Sequence, residues 1–373
     1  MRSQWEQEYA HLEIEPYNKL VGIPRFAAVG QQRATRKISE RSGKLVLVKV
    51  AGIDCGTNSI RLLIGSVDAK QGKITDELRR MEIVRLGAGV DSTGRFAPAA
   101  LARTLDAVAD YAAECRRRKV ESIRFAATSA TRDAENREEF IAGVYRRLGV
   151  YPQVLSGEQE ATFSFQGALS ALPIAEIPPR LLTVDLGGGS TEFTLGTAAG
   201  EVQAAVSMNI GSVRMRERHL HSDPPTAAEI AAARADVQRA LDAVEAKIDF
   251  TAAAAVIGLA GTVTSLTAFA LQLPNYDPAR IHGSALRIAE ISAAAEWFLQ
   301  ATPAERRQLG FLHPGRVDVI AAGALVWQEI VRRIAARTAD SATPVREIIT
   351  SEHDILDGLA LWAARQPQKP ARI

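Results

Sequence analysis

Residues 50–65 read VAGIDCGTNSIRLLIG, and residues 181–196 read LLTVDLGGGSTEFTLG. When the two stretches are aligned without a gap, four pairs of identical residues coincide at a constant offset of 131: Asp54 with Asp185, Gly56 with Gly187, Ser59 with Ser190, and Gly65 with Gly196. Each stretch consists of an apolar run, a turn of small residues and a second apolar run. One supersecondary unit used twice, about one domain apart, indicates a duplicated domain.

The pattern around each turn predicts a hairpin. LVLVKVAGI (45–53) is an apolar, Val-rich run typical of a buried strand, and IRLLIGSV (60–67) is a second one. RLLTVDL (180–186) and EFTLGT (192–197) repeat the arrangement. Two copies that face each other would form a cleft lined by both turns.

Both turns are suited to bind phosphate. Small residues let backbone N–H groups converge without obstruction by Cβ atoms, and such a nest binds phosphate oxygens. Each charge-assisted hydrogen bond contributes about 1.5–3 kcal/mol once water is excluded. The predicted phosphate-binding residues are Gly56, Thr57, Asn58, Ser59, Gly187, Gly188, Gly189, Ser190 and Thr191.

An acidic residue stands at the entrance of each turn. A carboxylate beside a phosphate repels it unless a cation lies between them. Asp54 and Asp185 therefore imply a divalent metal, most simply Mg²⁺, which accepts carboxylate, water and phosphate oxygens. Glu192, seven residues after Asp185, starts the following strand and is placed to reach the same ion through water.

The composition is that of an ordinary globular protein. The 373 residues correspond to two or more domains, 47% of them are hydrophobic, and 24% are charged. These values exclude a disordered chain, a collagen-like repeat and a disulfide scaffold. A net charge of +2 gives no argument for nucleic acid or another polyanionic partner, so an anion site must be built locally. Only Cys55 and Cys115 are present, which fits a reducing cytoplasm.

Four segments are predicted along the chain. Residues 1–44 show no helical or strand periodicity and are expected to be a mobile extension, or to follow a start codon assigned too early; a basic arm that binds an anion is the alternative. Residues 45–175 are expected to form lobe I with the first turn and Glu160, and residues 176–345 lobe II with the DLGGGST turn. Residues 346–373 are expected to form a C-terminal helix that packs back on lobe I.

One uncharged stretch has the length of a membrane span. Residues 250–276 lack charge over 27 positions. The stretch is rich in Ala, Gly and Thr, and its centre IGLAGTVTS (257–265) favours a buried strand, a glycine turn and a helix. We therefore expect no membrane span and no membrane partner.

Periodicity predicts the elements between the two turns. A helix over residues 97–118 places its apolar side chains on one face, and a second helix follows residue 136. Strands are predicted over residues 81–87, 122–128 and 151–156.

A series of motifs resembles those of the exopolyphosphatase/guanosine pentaphosphate phosphohydrolase (Ppx/GppA) family. The motifs follow the order seen in that family: DCGTNS (54–59), RLGAGVDSTGRF (85–96), ATSATRDAEN (127–136), SGEQEA (156–161), VDLGGGSTEF (184–193), NIGSVRMRERHLHSDPP (209–225), GLAGTVTSL (258–266), YDPARIHG (276–283), HPGRVDVIAAGAL (313–325) and SEHDILDGLAL (351–361). Each motif is modest alone, whereas the ordered set is specific. The resemblance implies the short form of the family, with the two-lobed α/β fold, a duplicated ribonuclease H-like fold, of the acetate- and sugar-kinase, heat-shock ATPase and actin superfamily.

The resemblance also implies a reaction. It is the metal-dependent removal of the terminal phosphate from inorganic polyphosphate, with release of orthophosphate. By the same resemblance Glu160 is the catalytic base, Arg132 clamps the terminal phosphate, and Asp185 and Glu192 are the metal-linked acids.

Two positions depart from the family pattern. Cys55 stands where an apolar or small residue is usual, and Gln159 stands where Glu is common. The further helical domain of long family members has no counterpart in this sequence, so tight binding of very long chains is not expected. A structural alternative for Arg132 is to cap its helix or to pair with Asp133 or Glu135.

Three other functions share parts of this pattern. Hydrolysis of the 5′ γ-phosphate of guanosine pentaphosphate needs the same residues, so the sequence does not separate the two substrates. A sensor would bind these phosphates without turnover, but the presence of Glu160 and both turns argues against it. A sugar or acetate kinase needs an acceptor pocket that the sequence does not reveal. Relatives imply that a homodimer is possible.

Overall fold

Two mixed β-sheets form the framework of this computed structural model, which describes residues 47–68, 72–172 and 178–371. The predicted extension over residues 1–44 lies outside the described residues. Sheet A contains five strands: β1 (Leu47–Cys55), β2 (Ser59–Asp68), β3 (Lys73–Ile83), β4 (Ser122–Ala127) and β5 (Gln153–Val154). Their spatial order is β3–β2–β1–β4–β5, with β1, β2 and β3 antiparallel to one another in turn and β1, β4 and β5 parallel.

Sheet B repeats this connectivity. It contains six strands: β6 (Arg180–Leu186), β7 (Thr191–Thr197), β8 (Val202–Met208), β9 (Ala255–Leu259), β10 (Ala285–Arg287) and β11 (Glu347–Thr350). Five of them, in the order β8–β7–β6–β9–β11, match the order and directions of sheet A, and β10 adds an antiparallel edge strand. The predicted duplicated, two-lobed α/β fold of the ribonuclease H type is confirmed.

Helices cover the sheets. In the described part of the chain they are α1 (Val90–Thr93), α2 (Pro98–Arg117), α3 (Ser129–Asp133), α4 (Arg137–Leu148), α5 (Gly157–Ala171), α6 (Ser212–His219), α7 (Ala227–Glu245), α8 (Ala260–Ala270), α9 (Pro278–Ile281), α10 (Ile288–Gln300), α11 (Pro303–Arg307), α12 (Ile320–Thr338) and α13 (Ile355–Arg365). The amphipathic pattern predicted for residues 97–118 is confirmed, since the apolar face of α2 is buried against sheet A.

The molecule has two halves, one built on sheet A and the other on sheet B. The last helix of each half packs against the sheet of the other half. Helix α5 follows the strands of sheet A but contacts β6, β7 and β8, whereas α13 follows sheet B but contacts β1, β2 and β4. The two helices touch through their backbones: a Cβ atom built on Gly358 would lie 2.2 Å from the carbonyl oxygen of Phe163. These crossed helices join the two halves, and the predicted lobe boundaries stay predictions.

Two segments bear directly on earlier expectations. The strand predicted over residues 81–87 is wrong at both ends, because β3 spans Lys73–Ile83 and the backbone amides that follow it bind the first glycine turn. The uncharged stretch forms the predicted strand and helix, β9 and α8, but the predicted glycine turn between them is wrong, because α8 begins at Ala260 directly after β9 and contains Gly261. Among the described residues, no helix has both the length and the apolar character that crossing a bilayer requires.

Candidate active site

The two glycine turns meet across one cleft. In each turn a glycine amide donates to the carbonyl of the serine three residues later, from Gly56 to Ser59 and from Gly187 to Ser190, both at 3.0 Å. The turns touch, because a Cβ atom built on Gly189 would lie 2.4 Å from Thr57 Oγ1. Eight of the nine predicted phosphate-binding residues line a cavity of about 100 Å³: Gly56, Thr57, Asn58, Ser59, Gly187, Gly188, Gly189 and Ser190.

Thr191 is the exception among the predicted phosphate-binding residues. Its hydroxyl is buried and donates to the carbonyl oxygen of Ile210 at 2.8 Å. Thr191 starts β7, and successive side chains of a strand point to opposite faces. Because Glu192 faces the cavity, Thr191 faces away from it, and the structure does not support a phosphate contact from this side chain.

The residues at the start of α6 fix the orientation of the peptide groups in the second turn. Three carbonyl oxygens of the turn accept hydrogen bonds from the residues that open α6: Gly187 O from Ser212 N at 3.0 Å, Gly188 O from Val213 N at 2.8 Å, and Gly189 O from Arg214 Nε at 2.7 Å. The C=O and N–H of a trans peptide point in opposite directions. The amides that follow these carbonyls therefore point away from the start of α6.

The first turn is held in the same way by the segment that follows β3. The carbonyl oxygen of Thr57 accepts from Gly87 N at 2.9 Å, and that of Asn58 accepts from Val84 N at 3.1 Å and Arg85 N at 2.9 Å. The side-chain oxygen Asn58 Oδ1 is buried and has no hydrogen-bond partner among the described residues. Asn58 therefore offers an unused oxygen in the wall of the cavity.

Four buried carboxylates line the same cavity: Asp54, Glu160, Asp185 and Glu192. Burial raises the pKa of Glu160 and of Asp185 to about 7. Burial, followed by the charges of Glu160 and Asp185, raises the pKa of Glu192 well above its usual value. The pKa of Asp54 is raised by burial although Arg61 opposes the shift. The cavity therefore disfavours the charged forms of these carboxyl groups, because it buries them close to one another without enough opposing charge.

Arg61 is a site residue that the sequence reasoning missed. It lines the cavity and donates to Asp54 Oδ2 from Nε at 3.1 Å and from Nη2 at 2.7 Å. The register of β1 and β2 pairs Asp54 with Arg61, as that of β6 and β7 pairs Asp185 with Glu192. Arg61 is thus the counterpart of Glu192 in the repeat, and the 131-residue offset was the signal that could have found it.

Arg316 is a second missed residue. It ends a short 3₁₀ turn within the motif HPGRVDVIAAGAL, and its half-buried guanidinium reaches the cavity beside Gly261. Burial lowers the pKa of Arg316. Together Arg61 and Arg316 place two cations in the cavity wall against the four carboxylates.

The helix cap of α5 places Glu160 at the cavity. Ser156 Oγ accepts from Gln159 N at 3.2 Å, while Gln159 Oε1 accepts from Ser156 N at 3.0 Å. This reciprocal capping box can be made by Gln as well as by Glu, which accounts for the departure at position 159. Cys55, the other departure, is fully buried and packs in the sheet core as a small apolar residue.

Arg132 holds Glu160. Its Nη1 donates to Glu160 Oε2 at 2.6 Å and to the carbonyl oxygen of Leu155 at 2.9 Å. The alternative partner Asp133 instead contacts Arg214. Arg132 is not among the residues that line the cavity, so the structure links it to the carboxylate rather than directly to a ligand.

The donor set fits a magnesium ion, although among the described residues no three His, Cys, Asp or Glu side chains are already arranged to hold one. All candidate ligands are oxygen atoms, and the carboxylates outnumber the guanidinium groups. Mg²⁺ usually binds one or two protein carboxylates and takes its remaining ligands from water and substrate phosphates. Asp54, Asp185 and Glu192 therefore stay the predicted ligands.

A larger cavity of about 690 Å³ adjoins the first. Arg61, Gly261 and Arg316 contribute to the walls of both cavities. The wall of the larger cavity also carries apolar side chains and two aromatic rings, those of Tyr276 and Phe311. It extends the cleft beyond the phosphate turns.

Comparison with known proteins identifies the family. The profile of the Ppx/GppA phosphatase family matches residues 65–351. Exopolyphosphatase 2 of Mycobacterium tuberculosis is 44% identical over 327 residues, which cover 86% of this chain and 100% of that protein. The crystal structure of an exopolyphosphatase-like protein superposes with a TM-score of 0.81 at 45% identity, covering 84% of this chain and 97% of that chain. The crystal structure of the Aquifex aeolicus Ppx/GppA family member gives a TM-score of 0.69 at 28% identity and covers 86% and 98% of the two chains. The chain described here therefore belongs to the Ppx/GppA phosphatase family.

Proposed function

We propose that this protein is an exopolyphosphatase, which hydrolyses the terminal phosphate of inorganic polyphosphate and releases orthophosphate in a divalent-metal-dependent reaction. The observation that carries the proposal is the meeting of two phosphate-binding turns with the buried carboxylate of Glu160 in one cavity. The similarity over the full length of an exopolyphosphatase supports it.

Binding relies on groups that the two turns and the arginines present. Backbone amides of the two turns, with the hydroxyls of Thr57, Ser59 and Ser190, donate to the oxygens of the terminal phosphate. Arg61 and Arg316 add charge-assisted contacts. Such groups favour a compact, highly charged anion over a neutral ligand.

A bound divalent metal would neutralise phosphate oxygens that the carboxylates otherwise repel. Asp54, Asp185 and Glu192 are the residues that would hold it. Their burial beside one another, with raised pKa values, is the state expected of carboxylates that share a cation site.

Glu160 acts as the base in the proposed mechanism. Its Oε2 accepts from Arg132, which leaves Oε1 for a water molecule in line with the terminal phosphorus. The water gives its proton to Glu160 while its oxygen bonds to phosphorus, and the bridging P–O bond breaks. The leaving group is a phosphate oxygen of low basicity, so a strong general acid is not required.

Guanosine pentaphosphate hydrolysis is the second candidate. The larger cavity of about 690 Å³ lies directly beside the phosphate turns, and its volume falls in the range common for small-molecule sites. The rings of Tyr276 and Phe311 give it surfaces on which a nucleoside can pack. The same phosphate machinery would then act on the 5′ end of the nucleotide.

One assay separates these functions. Purified protein with Mg²⁺ is offered polyphosphates of several lengths, guanosine pentaphosphate, and ATP with sugars, and both orthophosphate and sugar phosphate are measured. Release of orthophosphate from polyphosphate supports the proposal, and preferential release from guanosine pentaphosphate supports the second candidate. Phosphorylated sugar would indicate a kinase, and binding without any release would indicate a sensor.

We also propose a cytoplasmic location. Both cysteines are free thiols buried in the lobe that contains sheet A, which suits a reducing compartment.

Arg132→Ala is expected to lower kcat for polyphosphate by about ten- to a hundredfold and to change KM less. The reason is that its guanidinium orients Glu160 and does not line the cavity. Steady-state phosphate release measures both constants. A raised KM at unchanged kcat would assign Arg132 to the phosphate instead, and a loss of stability with normal kinetics would make it a structural residue.

Gly211→Ala is expected to lower kcat/KM by about a hundredfold. A Cβ atom at this position would lie 2.4 Å from the carbonyl carbon and oxygen of Gly188 and 2.5 Å from Gly189 N. Backbone atoms cannot rotate aside as a side chain can, so the second turn must move. Phosphate release from polyphosphate provides the measurement.

Gly200→Ala is the matched control for Gly211. Gly200 has a φ of +87° in the turn between β7 and β8, and a Cβ atom there meets nothing within 4 Å. The control is expected to cost about 1 kcal/mol of stability at unchanged activity. Equal activity loss in both variants would contradict a specific role for Gly211.

A further inference from the structure

An ion-pair cluster on the outer side of the second turn joins the two halves of the molecule. It consists of Arg214 and Arg218 from α6 and of Asp91 and Asp133 from the half that contains sheet A, and we call it the clasp. Arg214 pairs with Asp91 through Nη1 and with Asp133 through Nη2, the latter at 2.5 Å. Arg218 contacts both oxygens of Asp91, at 2.6 and 2.9 Å.

Arg214 also contacts the second phosphate turn. Its Nε donates to the carbonyl oxygen of Gly189 at 2.7 Å, and its side chain is only 8% exposed. One guanidinium therefore binds the turn on one side and two carboxylates of the opposite half on the other. Asp133 directly follows Arg132, which holds Glu160. One member of the clasp is therefore the sequence neighbour of Arg132, which orients the proposed base Glu160.

We propose that Arg214 is a positioning residue, which fixes the second phosphate turn against the opposite half of the cleft. By holding Gly189 O outward, Arg214 keeps the amide of Ser190 directed at the terminal phosphate. Through Asp91 and Asp133 it sets the distance between that amide and Glu160. This inference rests on the proposed function, because it assigns a role in the same phosphate site.

The geometry requires arginine. A planar guanidinium presents several N–H groups in a fixed fork and can serve three acceptors in different directions. The ammonium of lysine is a point charge on a flexible stem and cannot reproduce that arrangement. Arg214→Lys is therefore expected to behave like Arg214→Gln in catalysis although it keeps the positive charge.

The first test needs no substrate. Hydrogen–deuterium exchange of peptides that cover residues 87–94 and 187–191 is compared between the wild-type chain and Arg214→Gln. We expect exchange to be about tenfold faster in both peptides and unchanged in a peptide from α10. Unchanged exchange in residues 187–191 would overturn the proposal. This result stands even if the protein hydrolyses neither polyphosphate nor guanosine pentaphosphate, in which case the proposed function fails separately.

The second test is kinetic. Arg214→Gln and Arg214→Lys are expected to lower kcat for polyphosphate by about ten- to a hundredfold. The milder variant Asp91→Asn, which keeps the contact to Gly189, is expected to lower kcat several-fold. Arg337→Gln is the matched control. Arg337 makes an ion pair with Glu245 near the C-terminal end of α12, and its replacement should leave kcat unchanged. A lower melting temperature at full kcat in the Arg214 variants would show a purely structural role and overturn the proposal.

Discussion

Glu160→Gln is expected to lower polyphosphate turnover by about two to four orders of magnitude while substrate binding persists. The amide of glutamine cannot accept the proton of the attacking water, but its carbonyl oxygen can still accept the hydrogen bond from Arg132. The variant should therefore fold and keep both phosphate turns intact. Phosphate release gives the turnover, and calorimetric titration with tripolyphosphate and Mg²⁺ gives the affinity.

Glu158→Gln is the control for this experiment. Glu158 lies on the first turn of the same helix, undergoes the same chemical change, and is exposed. Its turnover is expected to stay within about twofold of the wild-type value, as for most surface substitutions. Near-normal turnover in Glu160→Gln would remove Glu160 as the base, whereas loss of binding would show that it serves the substrate or the metal.

Asp185→Asn is expected to reduce phosphate release by about a thousandfold, because it removes a predicted metal ligand from the cleft. The same substitution is expected to stabilise the folded chain rather than to destabilise it. Asp185 is buried near Glu160 and Glu192, and its negative charge repels theirs. The hydrogen bond from Ser164 Oγ to Asp185 Oδ2, 2.6 Å long, can be kept by the asparagine oxygen. We therefore expect the melting temperature in metal-free buffer to be equal to or higher than that of the wild-type chain.

The melting temperature with and without Mg²⁺ completes this test. Mg²⁺ is expected to raise it for the wild-type chain and much less for Asp185→Asn, since a ligand stabilises the state that binds it. The exposed Asp340 provides the control Asp340→Asn, which should respond to Mg²⁺ like the wild-type chain. Metal-dependent activity retained in Asp185→Asn would contradict the assignment of this ligand.

The repeat around Asp54 and Asp185 predicted the part of the fold that depends on local sequence. Strand, turn and strand are adjacent in the chain, and their hydrogen bonds close within a few residues, so the pattern was sufficient. The same offset of 131 residues also predicts a role for Arg61, because Arg61 pairs with Asp54 across the first hairpin as Glu192 pairs with Asp185 across the second. The turn pattern did not predict the position of the Thr191 side chain, because Thr191 already belongs to β7 and successive side chains of a strand point to opposite faces.

The remaining site residues depend on contacts between distant parts of the chain. Arg316 shares a cavity wall with Arg61, and Arg214 meets Asp91 across 123 positions. Nothing in the local pattern of either arginine indicates its partner, because ion pairs carry no periodicity. Residues 84–87 also depend on distant contacts. Their sequence pattern is typical of a strand, but their backbone amides bind the first glycine turn instead of extending β3.

The crossing of α5 and α13 has a consequence for dissection of the molecule. A polypeptide cut between α5 and β6 would leave β1, β2 and β4 without α13 and would leave β6, β7 and β8 without α5. Each fragment would expose the apolar sheet face that the other fragment normally shields, and each is expected to aggregate when produced alone. Co-expression of both fragments should restore a complex by mutual complementation, and the intact chain should melt in a single cooperative transition.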